Sequence, residues 1–368
     1  MNRNNDQISS AQLAAILSIT IMGIGILSLP RTLVAEVGPD CLIVVVIGIL
    51  IAMILGFIIS VLVRRYPDDT IVDFGKTILG KFLGTLMSLG LFIFYIIFTA
   101  IEVRMFGEIA KTYLLLNTPL EVLMITFLIA VVYTVRGRIE PFARMSQIIF
   151  PIVLISSLLV MIPLIGELDL TYFLPVLKTP LMKIVKVIPL MTLSFLGLEL
   201  PLLFAPFVFD KRNITKYIIF AVALVGSTYF ATTLVTVSRF GLVETTHMTW
   251  PSLELFKTVD IPGAFIENIY IYVIAIWVFS VLMTAAGVYF GASLTLSKII
   301  KSSEHGYLTL FLLPIIYYFA ILPVNLEETI KMIDIFSNYL GALYLVIIPI
   351  GLLGLGYIRN QKGGSKNA

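Results

Sequence analysis

Charged residues, cysteine and histidine are all scarce in this chain of 368 residues. The single cysteine, Cys41, excludes an internal disulfide framework. With only two histidines besides, no His and Cys cluster exists to hold a catalytic metal. Charged residues make up 13% of the chain and the net charge is +3, which leaves no basic face for nucleic acid. We therefore expect no metal, no cofactor and no nucleic-acid partner.

Apolar residues dominate what is present. They make up 59% of the chain, and the mean hydropathy is +1.04. Only helices and closed barrels satisfy their backbone groups in lipid, and the apolar runs here are continuous rather than alternating. The sequence therefore predicts an all-α membrane protein embedded in the lipid bilayer.

Hydropathy divides the chain into ten apolar runs, each long enough to form a transmembrane helix. The polar first ten residues lack the apolar core of a secretory signal, so we expect insertion to depend on the first run. The predicted spans are residues 11–34, 41–63, 82–116, 119–135, 148–165, 184–208, 217–238, 265–297, 308–323 and 333–357.

The order of the spans predicts two halves of opposite topology within a single integral membrane domain. Residues 1–166 hold five spans, residues 167–183 form an outer connector, and residues 184–368 hold five more spans and a tail. An odd number of spans per half makes the halves enter the membrane from opposite sides, which is an inverted repeat. Most lysines and arginines lie in connectors on the side of the N-terminus, so both termini are predicted to be cytoplasmic.

The middle of the first span contains Gly23 and Gly25 and is followed by Pro30. Glycine costs helix stability, so one interpretation is a close helix contact, and the other is an unwound midpoint facing a cavity. The sixth span repeats the pattern with Gly197 and Pro201. Paired interruptions in matching spans of two halves indicate a transporter-type site, which favours broken first and sixth helices.

A pair of broken helices offers particular chemistry. The N-terminus of a half-helix at Gly25 presents free amides and a positive dipole end, which suit a carboxylate. Carbonyl groups released near residues 20–22 and 193–195 suit an ammonium group. Together the two features predict a site for a zwitterionic amino acid.

The run from Gly23 to Arg31 reads GIGILSLPR, and Trp250-Pro251-Ser252-Leu253-Glu254 precedes a long eighth span. With the short polar N-terminus and ten spans, these features make the whole chain resemble the B subunit of bacterial spore germinant receptors. That family is itself similar to the amino acid–polyamine–organocation transporters, which have the five-plus-five, LeuT-like inverted fold.

The resemblance implies a nutrient sensor in the inner membrane of the spore. The ligand would be an amino acid or, in the alternative, a sugar, and the partners would be an A subunit and a lipoprotein C subunit. The alternative function is an amino acid permease working by alternating access. An enzyme is not expected, because no nucleophile and base lie at matching depth.

The candidate ligand-binding residues lie at the two interruptions and on the third and eighth spans. Tyr95 and Thr99 offer hydroxyls to a ligand or to neighbouring helices, and Thr284 offers one to a ligand or to its own helix. The full set is Thr20, Gly23, Ile24, Gly25, Tyr95, Thr99, Ser194, Phe195, Gly197, Glu199, Thr284 and Gly287.

Charges within the spans need an explanation, because each costs a few kcal/mol. Glu199 either meets a ligand ammonium or coupling proton, or accepts bonds from freed backbone amides. Arg104 and Glu108 are four residues apart, which predicts an ion pair. Glu102 points to another side of the same helix, where the interpretations are a structural role, an ion path or a partner contact. Residues 249–257 form either a lid over the cavity or a surface element.

Overall fold

The computed structural model describes residues 6–258, 269–302 and 306–359. Every regular element among them is helical, apart from one isolated parallel bridge between Ile8 and Val208. The start of the predicted eighth span, residues 265–268, and the tail from residue 360 onward lie outside the described residues.

Sixteen α-helices are numbered here in chain order. They are α1 Ser10–Ile21, α2 Gly25–Val37, α3 Cys41–Arg65, α4 Ile71–Leu79, α5 Lys81–Tyr113, α6 Leu120–Val135, α7 Ile139–Met161, α8 Leu181–Val187, α9 Met191–Ser194, α10 Pro201–Phe204, α11 Ile214–His247, α12 Pro251–Lys257, α13 Ile269–Ile300, α14 Gly306–Ile321, α15 Leu326–Ile335 and α16 Ile348–Ile358. Between α15 and α16 the chain widens into π-helical turns over Phe336–Gly341 and Leu343–Ile347.

Six helical stretches of the described chain are long and apolar enough to cross a membrane. One of them consists of α2 and α3, which separate at Gly38, where φ is +55°. Three shorter apolar helices, α1, α6 and α14, accompany the six. The predicted all-α membrane class is therefore confirmed, whereas ten crossings in an inverted repeat stay a prediction. The long stretches are Gly25–Arg65, Lys81–Tyr113, Ile139–Glu167, Lys211–His247, Tyr270–Ile300 and Leu326–Ile358.

Helix α1 lies at the centre of the bundle, where it packs against α7, α11 and α13. Every residue of α1 from position 13 to position 21 is buried. Ser9 caps its first turn in a reciprocal pair of hydrogen bonds with Gln12. By contrast, α3 exposes Leu50, Ile54 and Phe57 on one face, each more than half exposed. An exposed apolar stripe of this kind fits contact with lipid chains.

Connectors that the sequence assigns to one side of the membrane meet at one end of the bundle. The amide of Ser10 donates to Asp210 Oδ1 at 2.5 Å, and Lys298 Nζ lies 3.3 Å from Asp73 Oδ2. The Arg359 side chain donates to the carbonyl of Ile78. We call this the Ser10 end. The opposite end carries α12 and Trp250 and is called the Trp250 end.

Candidate functional site

The first predicted span is interrupted as expected. Helix α1 ends at Ile21, α2 begins at Gly25, and the three residues between them are not helical. A Cβ atom at Gly23 would lie 2.8 Å from both Cγ2 and Oγ1 of Thr284. Since real Cβ contacts are essentially never that short, only glycine lets the break pack this closely against α13.

The sixth predicted span is also interrupted. Helix α9 ends at Ser194 and α10 begins at Pro201, and the residues between them form turns. Gly197 has φ of +104°, a conformation that glycine adopts without strain. Its amide donates to Glu199 Oε2 at 2.9 Å. Glu199 therefore supports freed backbone, as one of its two sequence interpretations expects.

The two interruptions contact each other through Thr20. A Cβ atom at Gly197 would lie 2.9 Å from Thr20 Cγ2, and one at Gly287 would lie 2.7 Å from Thr20 Oγ1. Both glycines therefore make room for the Thr20 side chain. Their predicted importance has a packing reason, because each allows a neighbouring helix to approach the broken end of α1.

Backbone carbonyl oxygens at the breaks lie within hydrogen-bond distance of two hydroxyl groups of the protein itself. The Tyr229 hydroxyl lies 2.5 Å from the carbonyl oxygen of Ile21 and 2.7 Å from that of Ser194. The Thr284 hydroxyl lies 3.0 Å from the carbonyl oxygen of Ile19 and 3.3 Å from that of Thr20. Three of these four oxygens, those of Thr20, Ile21 and Ser194, are among the carbonyls that the sequence offers to a ligand ammonium, and each lies within hydrogen-bond distance of a hydroxyl on α11 or α13. Sequence reasoning did not identify Tyr229.

A cavity of about 280 Å³ lies beside the first break. Its wall is formed by α2, α5, residues 189–196, the turn before α12 and the π-helical turns after α15. The volume suits a small organic molecule. Five of the predicted site residues line this cavity: Thr20, Gly23, Ile24, Gly25 and Ser194.

The other seven predicted residues are described but do not line this cavity. Thr99 donates its hydroxyl to the carbonyl of Tyr95 at 2.7 Å, within its own helix. A Cβ atom at Gly291 would lie 3.1 Å from the Tyr95 ring, so this ring packs against α13. Phe195 stacks edge-on with Tyr229 at 5.6 Å between ring centroids. The remaining four, described above, are Gly197, Glu199, Thr284 and Gly287.

Glu102 and Ser337 are polar residues that line the cavity and are not among the candidates. Glu102 is 4% exposed, and its Oε2 has no hydrogen-bond partner. Ser337, in the first π-helical turn, is 7% exposed and its Oγ is likewise unpaired. The charge of Glu102 was visible in the sequence but was assigned elsewhere. Ser337 and Asn338, which interrupt an apolar run, were the available signal for the second position.

The predicted ion pair on α5 is confirmed. Arg104 Nε donates to Glu108 Oε1 at 2.9 Å, and a terminal nitrogen of Arg104 lies 2.8 Å from the same oxygen. Arg104 is buried, so the pair neutralises a charge that would be costly within the bundle. Its neighbour Glu102 has no such counter-charge on α5.

The segment 249–257 contacts the cavity through its first two residues. Thr249 and Trp250 line the cavity wall, and α12 packs on α2, α11 and α13. Ser252 Oγ donates to the carbonyl of Ile26 at 3.0 Å. Tyr113 donates to Glu254 Oε1 at 2.6 Å and so ties the segment to α5. For this segment, the lid and the surface element both stay predictions.

Charged groups on α2, α5 and α15 line the cavity. Arg31 is basic, and Glu36, Glu102 and Asp334 are acidic. Helix α2 begins without a side-chain cap at Ile24, so the amides of Gly25 and Ile26 lack intrahelical partners, whereas that of Leu27 donates to the carbonyl of Ile24 at 3.0 Å. The cavity thus combines a positive helix end with a buried carboxyl group, which suits a small molecule carrying both charges.

Comparisons with known proteins agree along nearly the whole chain. The sequence model of a family described as spore germination protein matches residues 7–329. The chain is 29% identical over 357 residues to spore germination protein YndE of Bacillus subtilis (strain 168), covering 96% of this chain and 98% of that protein. It is 26% identical to spore germination protein GerLB of Bacillus cereus, over 98% of this chain and 97% of the relative. It is 24% identical to spore germination protein B2 of Bacillus subtilis (strain 168), over 95% of both chains.

Proposed function

The chain belongs to the spore germination protein family, and from this premise we propose that it is the B subunit of a spore germinant receptor, sensing a small nutrient at mid-membrane depth. The observation that carries the proposal is the cavity of about 280 Å³ beside the broken first span. Binding there would shift a conformational equilibrium that partner subunits detect. The role is recognition rather than catalysis.

We propose the ten-span, five-plus-five inverted repeat as the membrane arrangement. Residues 1–166 would form the first repeat, residues 167–183 the outer connector, and residues 184–368 the second repeat with its tail. The contacts that gather basic connectors at the Ser10 end support placing that end, and both termini, in the cytoplasm. The Trp250 end would then face outward, in the inner membrane of the spore.

The proposed nutrient is an amino acid. Its carboxylate would meet the uncapped first turn of α2 at Gly25, where free amides and the helix dipole favour an anion. The proposed partners are a receptor A subunit and a lipoprotein C subunit, which would bind this subunit and respond to its change of conformation. The exposed apolar faces of the bundle remain for lipid.

A second candidate function is an amino acid permease. Broken helices at equivalent positions of two halves are a feature of transporters with alternating access. Uptake by the purified chain in liposomes separates the two functions. Accumulation of a labelled amino acid inside the vesicles supports the permease, whereas saturable binding without accumulation supports the sensor.

Substitution at Gly25 tests the site itself. Gly25→Leu places a large side chain in the cavity wall and should abolish both the germination response and amino acid binding at unchanged protein level. Gly354→Leu is the matched control, because a side chain at Gly354 meets no atom within 4 Å. Ser194→Ala should change the set of nutrients recognised. An unaltered response in Gly25→Leu would refute the site.

A further inference from the structure

Three buried side-chain oxygens in the cavity wall lack a hydrogen-bond partner. They are Thr20 Oγ1, Glu102 Oε2 and Ser337 Oγ, and their residues are 1%, 4% and 7% exposed. Leaving a buried polar group unpaired is costly, and more so for a carboxyl group. Three such groups around one cavity therefore point to an occupant that supplies hydrogen-bond donors.

Other hydrogen-bond acceptors near the breaks are less available to a ligand than these three oxygens. The carbonyl oxygens of Ile21 and Ser194 share the single hydroxyl proton of Tyr229, and those of Ile19 and Thr20 share that of Thr284 with the carbonyl oxygen of Ser280. Glu199 Oε2 accepts from the amide of Gly197, and its Oε1 is unpaired, but Glu199 does not line the cavity. Among the described side chains that line the cavity, the buried oxygens without a partner are those of Thr20, Glu102 and Ser337.

The protein supplies no counter-charge to Glu102. Among the described residues that line the cavity, Arg31 alone is basic, and Glu102 Oε2 makes no bond to it. Arg31 lies six residues beyond Gly25, or about 9 Å along the axis of α2. Arg104 is committed to Glu108. A buried carboxylate without a protein cation is favourable when a bound cation neutralises it.

A primary ammonium group matches this set of acceptors. It carries one positive charge and three N–H donors and has no acceptor of its own. One carboxylate and two hydroxyls can receive those three donors and neutralise the charge. We propose that Glu102, Thr20 and Ser337 together bind the ammonium group of the ligand, with Glu102 determining specificity for amines. This assignment rests on the proposed amino acid sensor and names the group that recognises its cationic half.

Binding to the full-length chain, purified in detergent, tests the assignment. The probes are the proteinogenic amino acids, screened by the rise in melting temperature that a ligand of the folded state produces. Each amino acid that binds is then paired with the corresponding α-hydroxy acid, in which a hydroxyl replaces the ammonium group. The measured quantity is the ratio of the two dissociation constants, determined by calorimetry.

The wild-type chain should prefer the amino acid, and Glu102→Gln should reduce this preference by roughly 10- to 100-fold, the loss expected for a hydrogen bond to a charged group. Glu102→Asp should retain part of the preference because it keeps the charge. Ser337→Ala should reduce it by roughly 2- to 10-fold, as for a neutral hydrogen bond. Glu121→Gln, at an exposed carboxylate on α6, is the control.

The outcomes separate this inference from the proposed function. An unchanged preference in Glu102→Gln overturns the ammonium assignment while amino acid binding stands. Loss of the preference in Glu199→Gln, with Glu102→Gln unaffected, would transfer the role to Glu199 and also overturns it. If the wild-type chain binds no amino acid, both the ligand class and the assignment fail. If Glu102→Gln does not fold, the ratio of the two dissociation constants in Ser337→Ala tests the assignment instead, and an unchanged ratio there overturns it.

Discussion

The phenolic hydroxyl of Tyr229 lies 2.5 Å from the carbonyl oxygen of Ile21, the last residue of α1. The same hydroxyl lies 2.7 Å from the carbonyl oxygen of Ser194, the last residue of α9. A phenol has one proton to donate, so both helix ends draw on a single buried donor. Helix α11 thereby joins the two interruptions, which are far apart in sequence.

Tyr229→Phe removes this donor, so the two carbonyl groups lose the single hydrogen bond that they share. We expect the free energy of unfolding to fall by about 1–3 kcal/mol, the usual cost of an unsatisfied buried group. The change should appear as a lower melting temperature of the purified chain. Tyr133→Phe is the matched control, since Tyr133 is 85% exposed. Equal melting temperatures for the two variants would show that the hydroxyl does not hold the breaks together.

The absence of an amide hydrogen at Pro30 leaves the carbonyl of Ile26 without its helical donor, and Ser252 replaces that donor. Proline has no amide hydrogen to donate to the carbonyl four residues earlier, and Ser252 Oγ donates to that carbonyl instead. Ser252→Ala should cost about 1–2 kcal/mol of stability. In the Pro30→Ala background, where the amide hydrogen is restored, the same substitution should cost clearly less.

A double-mutant cycle measures this coupling. Ser227→Ala is a suitable control because Ser227 is exposed and donates to a carbonyl of its own helix. It should cost the same with and without Pro30. If Ser252→Ala costs the same in both backgrounds, the proline and the serine act independently.

Gly197→Ala should be strongly destabilising. The residue has φ of +104°, and an added Cβ would lie 2.9 Å from Thr20 Cγ2. We expect a loss of at least about 1–3 kcal/mol, the range for a residue held in an unfavourable backbone region. Gly351→Ala, at a helical position where a Cβ meets nothing within 4 Å, should be neutral or slightly stabilising. Thermal unfolding of both variants checks the contrast, and equal effects would contradict it.

Asp73, at the Ser10 end, predicts an acid-sensitive contact. Burial disfavours its charged form, but hydrogen bonds from Thr70 and the charge of Lys298 outweigh burial, so the pKa of Asp73 lies below its ordinary value of 3.8. A lowered pKa contributes stability above the ordinary value, and this is lost as the pH falls through the folded-state pKa. Asp73→Asn should therefore melt below wild type at neutral pH.

The difference in melting temperature between Asp73→Asn and wild type should narrow below about pH 4, as the carboxylate of the folded wild type becomes protonated. Asp68→Asn is the control, because Asp68 is largely exposed and its pairing with Lys211 is worth little. A melting-temperature difference that widens as the pH falls would contradict the lowered pKa of Asp73.

Local sequence signals predicted the helices and their interruptions well, and the distant contacts poorly. Glycine and proline within apolar runs marked the breaks at Gly25 and Gly197, because both residues act on their own backbone. The Arg104–Glu108 pair followed from helical spacing alone. Such features depend on a few neighbouring residues, which the sequence contains in full.

The cavity wall is formed by packing between segments that are distant in sequence. Only some of the residues predicted from the sequence therefore line it. Thr284 turns its hydroxyl to the end of α1 rather than into the cavity. Glu102 and Ser337 line the cavity instead. The π-helical turns at Phe336–Gly341 shift the helical register, so a 3.6-residue period does not indicate which face Ser337 occupies.

The double attachment of α12 has a mechanical consequence. Ser252 bonds it to α2, and Glu254 bonds it to Tyr113 at the end of α5. A displacement of α2 must therefore either break the bond to Ile26 or pull the segment relative to α5. Under the proposed function, a ligand that displaces α2 would therefore strain the rim of the molecule, where an adjacent polypeptide could detect it without any access to the nutrient.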